Sequence, residues 1–180
     1  MKKTIKILLF FGLGILLFAL PLAAHSESET IVRVNPLTTN VQPGDSFSVD
    51  IRVENVTDLY GFDVTLHFNP AYLQVDSLAL GSFLSSGFGG HDFKNTTGII
   101  NYYNTQMSPA GPKSGSGTLF TVNFTAKTTE ATTPLDVDET ITDLVEYDTY
   151  QLMPYTAQDG SVVIGTGSTN YLFYLPLITN

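Results

Sequence analysis

Residues 59–75 read LYGFDVTLHFNPAYLQV, and the fold class follows from them. Phe62, Val64, Leu66 and Phe68 alternate with Asp63, Thr65 and His67. That period of two belongs to a strand with one face buried and the other turned outward. Asn69-Pro70 ends the strand, because proline has no N–H to give a ladder and restricts the residue before it. Leu73 and Val75 then restart the apolar rhythm.

The same cadence recurs on both sides. Residues 30–34 (TIVRV) run into Asn35-Pro36, and residues 41–45 (VQPGD) form a turn. In that turn proline presets one central dihedral and glycine supplies the positive one. Phe47, Val49, Ile51 and Val53 alternate with Ser48, Asp50, Arg52 and Glu54, a second clean strand. A third, residues 73–80, ends at Gly81. Residues 82–90 (SFLSSGFGG) read as a long loop with Phe83, Leu84 or Phe88 turned inward. Residues 98–103 and 119–126 are strands, with an exposed loop at 108–117. Leu119 is apolar but out of phase with Phe120, Val122 and Phe124, which marks a bulge. Weaker strands follow at 134–137 and 139–144, and residues 160–164 close the series after a turn at 158–160. No helical periodicity lasts beyond a turn or two. The chain is all-β, with about nine strands spaced as in a sandwich.

The N-terminus reads as a secretory signal peptide over residues 1–24. Lys2, Lys3 and Lys6 precede an apolar run over 7–22, then Ala23-Ala24 and polar residues. Cleavage falls after Ala24 or after Ser26; an uncleaved signal anchor is the alternative. No cysteine follows the run, which excludes a lipoprotein anchor. The sandwich spans 27–165, followed by a linker at 166–170 (TGSTN) and an apolar tail at 171–180 that begins YLFYLPLI. Eight such residues cannot span a bilayer as a helix. They read as a last strand over a sheet edge, or as a segment that adds to a partner sheet. The chain is expected to be secreted or held at the cell surface, with no membrane span after cleavage.

Net charge is −9, and removing the leader takes three of the eight Lys and Arg but no acid, leaving −12. So acidic a surface disfavours nucleic acid and suits cations, basic proteins or neutral glycans. With no cysteine, stability rests on the hydrophobic core. Beyond the leader and its flank, His67 and His91 are the only histidines, and His91-Asp92, an adjacent pair in a loop, is too little for a triad or zinc site. No enzyme chemistry is expected, and no cofactor. Asp136 and Asp138 share a face and could hold calcium, although charges on a surface strand explain them equally.

Residues 41–75 (VQPGDSFSVDIRVENVTDLYGFDVTLHFNPAYLQV) resemble the front half of a cohesin domain. Residues 115–119 (GSGTL), 141–144 and 159–164 (DGSVVI) resemble its later strands, so the likeness covers about 30–164. The resemblance implies a nine-stranded jelly-roll sandwich that binds a partner protein without catalysis. Cohesins grip dockerins, calcium-loaded modules borne by polysaccharide-degrading enzymes, with an exposed sheet face. Asp63 falls where many cohesins present a polar contact, and Thr65 and His67 share its side by alternation. Gly61 stands where some cohesins carry an amide.

Two other functions remain open. A carbohydrate-binding module would use tyrosines in place of the absent tryptophan: Tyr103, Tyr147, Tyr150 and Tyr155. A structural surface domain would dock through the C-terminal tail.

Overall fold

The computed structural model describes residues 28–165; the leader, linker and tail lie outside the described residues. Eleven strand segments and no helix make up the described chain. None of it is a helix long and apolar enough to cross a membrane.

The organising element is β3 (Ser46–Phe68), which contains both alternating stretches read from the sequence. Its first half is flanked by β1 (Ile31–Asn35) and β7 (Lys113–Ala126). β7 also pairs with β4 (Leu73–Leu80), and β1 pairs in parallel with β10 (Thr156–Gln158). The second half of β3 is flanked by β6 (Ile99–Thr105) on one side. On its other side lie β8 (Ala131–Val137) and β9 (Asp143–Glu146). β5 (Phe88–Lys94) covers the far side of β6, and β8 continues to β11 (Gly160–Ile164) and parallel β2 (Thr38–Val41). One strand thus runs through both layers of a sandwich, bending between them.

The bend has a local cause. Asn55 and Asp58 sit at positive φ (56° and 53°), conformations that Asn and Asp tolerate better than most residues. Register shifts fall on either side of Val56. The freed backbone N–H groups are satisfied across the gap: Asn55 donates to Ser116 Oγ at 3.0 Å and Asp58 to Ser114 Oγ at 2.9 Å.

The core lies between the layers. Phe120 of β7 stacks on Tyr102 of β6 (centroids 4.9 Å apart) and on Phe62 of β3 (6.3 Å). Phe68 meets Phe124 edge-on at 5.6 Å. Leu119 is the extra residue of the expected bulge: Ile51 faces Phe120 while Arg52 faces Thr118. Both Leu119 and Phe120 are fully buried. The turn at 42–45 also forms, closed by Asp45 N–H to Gln42 O at 3.1 Å with Gly44 at φ +89°.

Several expectations need correction. The loop expected at 82–90 buries Leu84 but leaves Phe88 64% exposed at the start of edge strand β5. His91-Asp92 lies within that strand rather than in a loop. β7 begins at Lys113, inside the loop expected at 108–117. Residues 139–142 form a turn, and the strand expected there starts at Asp143. Instead of a turn, residues 158–160 carry the chain from β10 beside β1 to β11 beside β2.

Candidate binding face

Alternation along β3 turns Gly61, Asp63, Thr65 and His67 to the outer face of the second layer. Their partners on β6 are Thr105, Tyr103, Asn101 and Ile99, and beyond these on β5 stand Phe88, Gly90, Asp92 and Lys94. Directly opposed residues project to the same face, so these rows form one surface. On the other side Gly61 faces Val145, Asp63 faces Asp143 and His67 faces Asp136.

The three-residue row expected from the sequence is present but unevenly accessible. Asp63 is half-buried, and its Oδ1 accepts from Asn101 Nδ2 at 2.6 Å. The same amide donates to Thr65 Oγ1 at 3.2 Å. Thr65 is only 4% exposed. The chain between β8 and β9 covers it: Thr65 N–H donates to Thr142 Oγ1 at 3.1 Å, and its carbonyl accepts from Asp138 N–H at 3.0 Å.

His67 Nε2 meets Asp138 Oδ2 at 3.0 Å. Asp138 also accepts from the hydroxyl (2.6 Å) and N–H (2.9 Å) of Thr140. These bonds, the Thr140 hydroxyl foremost and then His67, hold its carboxyl down to about 2. Asp136 moves the other way: desolvation, then the negative charge of Asp159, push its carboxyl up. His67, Asp136, Asp138, Glu139 and Asp159 line a cavity of about 670 Å³. Two of its carboxylates accept from the backbone, Glu139 from Ala157 N–H and Asp159 from Val137 N–H, each at 2.9 Å. Asp136 and Asp138 share this cavity, but among the described residues no three acidic, His or Cys side chains converge to hold a metal ion.

The tyrosines divide. Tyr103 (40% exposed) and Tyr150 (66%) border a shallow hollow of about 240 Å³ whose lining also includes Gly61, Asp63, Phe88 and Asp143. Tyr147 and Tyr150 both contact Tyr60, with interplanar angles of 53° and 81°. Tyr155 stands apart, half-buried, its hydroxyl donating to the Thr142 carbonyl at 3.1 Å. Sequence reading missed Phe88, Asn101 and Asp143 on this face. Asn101 carried a usable signal, since it is in phase with Tyr103 on the same strand. Phe88 carried none, because Gly87 and Gly89 disguise the edge strand.

The Cohesin domain family model matches residues 32–164. No curated protein matches the sequence. Among solved structures, CaCohA2 from Clostridium acetobutylicum is 19% identical, covering 79% of this chain and 94% of its own, with a TM-score of 0.67. A non-cellulosomal cohesin from Archaeoglobus fulgidus is 16% identical, covering 78% of this chain and 94% of its own, with a TM-score of 0.66. The Coh-OlpA–Doc918 complex from Clostridium thermocellum gives 15% identity, 77% and 100% coverage, and a TM-score of 0.67. These likenesses are of fold, a β-sandwich shared at low identity. With the family model spanning nearly all of the described residues, the chain belongs to the cohesin family.

Proposed function

We propose that this protein is an exported adaptor whose cohesin domain binds a dockerin-type module through the outer face of β5, β6, β3 and β9, around Asp63 and His67. Cohesin domains are binding modules without catalysis, and the chain is not an enzyme. The observation that carries the reading is the composition of that face. Exposed Phe88 and Tyr103 stand beside half-buried Asp63 and His67 on regular sheet, offering aromatic anchors and hydrogen-bonding groups together. CaCohA2 and the OlpA cohesin are both solved in complexes with dockerins, which supports the same class of partner here. The leader over 1–24 favours export, and a dockerin partner would place the protein in polysaccharide degradation or cell-surface assembly. Direct sugar binding is the weaker reading, because the rings around Tyr60 are steeply tilted and offer no flat platform.

The test is titration calorimetry of the mature chain with calcium-loaded dockerin modules, repeated in chelator. Binding with calcium and its loss in chelator support the reading. Binding to insoluble polysaccharide, with no response to any dockerin, overturns it.

A further inference from the structure

We propose that the hollow over Gly61 is an anchor pocket for one bulky apolar side chain of the partner, held beside a Lys or Arg of the same segment. This rests on the partner-binding reading above and names the chemistry that the partner must bring.

Three features carry it. The first is shape. Gly61 lies under the hollow, and a Cβ there would come to 3.2 Å from Thr105 Oγ1, so glycine keeps the space open. Phe88, Tyr103 and Tyr150 surround it with exposed aromatic surface, the kind of rim that anchors hot-spot side chains. The second is charge. Asp63 and Asp143 flank the hollow, and among the described residues neither is ion-paired. Lys94 stands in the row at the opposite end of this face, in line with Ile99 and His67. A cation on the partner therefore meets two unpaired carboxylates beside the hollow. The third is conformation. Tyr150 holds φ at +54° and is 66% exposed, so an aromatic residue adopts a left-handed backbone while leaving most of its surface in water. Strain of this kind, unrewarded by burial, concentrates at binding sites.

The experiment displays a calcium-loaded dockerin with its helix-surface positions randomised and selects it on the immobilised mature protein. The result expected is enrichment of Leu, Ile, Met or Phe at one position with Lys or Arg nearby. Selected clones then bind Tyr150→Gly and Gly61→Asn about tenfold or more weakly, as when an interface anchor is lost. Tyr150→Gly relieves the positive φ, so it keeps a folded comparator available if Gly61→Asn crowds Thr105. Clones without an apolar residue, or with affinity for Tyr150→Gly within twofold of the parent, overturn the anchor and leave dockerin binding standing. Failure of the library and of natural dockerins to bind in calcium overturns both.

Discussion

The imidazole of His67 on β3 and the carboxylate of Asp138, just past the end of β8, meet at 3.0 Å. The contact ties the central strand to the turn that buries Thr65. Asp138 is held at about 2, below its unfolded value, so its stabilising bonds are fully made above about pH 4 and are lost as pH falls towards 2. Asp138→Asn should flatten the acid limb of the stability profile in that window. Urea melts of both proteins between pH 2 and 5 check this; parallel profiles would show that the bonds add nothing.

Asp136, two residues earlier, should behave oppositely. Desolvation and Asp159 raise its carboxyl, so its ionised form opposes folding. That penalty is present above the raised value and disappears as pH falls below the ordinary carboxylate range. Asp136→Asn is expected to raise the melting temperature at pH 7 and to leave it unchanged near pH 3. A loss of stability at pH 7 would mean that the carboxylate is better paired than its surroundings suggest.

Asp63→Lys tests the face with little risk to the fold. Its carboxylate is half-buried and its one bond runs to Asn101. Reversing the charge beside Asp143 should weaken a dockerin partner by about tenfold or more, while the melting temperature stays within a few degrees. Unchanged affinity in calorimetry would place the contact elsewhere.

Two left-handed glycines should separate the cost of conformation from that of crowding. Gly44 (φ +89°) has open space where a Cβ would stand. At Gly98 (φ +73°) a Cβ would fall 2.0 Å from the Phe68 carbonyl oxygen, beside the N–H of Phe68 that bonds Gly98 O. Gly44→Ala should cost about 1 kcal/mol from backbone strain alone. Gly98→Ala should cost roughly 2–4 kcal/mol, since strand and turn must part. Equal losses in denaturant melts would remove crowding from the account.

How far the sequence could be read follows from where each residue's environment comes from. Both halves of β3, the turn at Gly44 and the bulge at Leu119 were legible because adjacent residues alone decide them. Their fusion into one strand was not, since the bend at Asn55 and Asp58 depends on Ser116 and Ser114, more than fifty residues away. β2 and β10 pair in parallel with distant segments and carry no alternation of their own. At the site, alternation placed Asp63, Thr65 and His67 on one face correctly. It could not show that residues 138–142 fold over Thr65, because that cover is tertiary.

Phe120 and Tyr150 set the sharpest contrast between core and face. Phe120 is fully buried and stacked on two rings from the opposite layer, so Phe120→Ala should cost about 3–5 kcal/mol. Tyr150→Gly loses an edge contact with Tyr60, worth about 0.5–1.5 kcal/mol, and adds unfolded-state entropy of similar size. It also relieves a left-handed backbone that costs roughly 1–2 kcal/mol. These terms nearly cancel, so stability should stay within about 1 kcal/mol of the parent. Urea melts of the two variants, read beside their affinity for one dockerin, decide the matter. If Tyr150→Gly unfolds as readily as Phe120→Ala, the ring at position 150 supports the fold and is not spare surface for a partner.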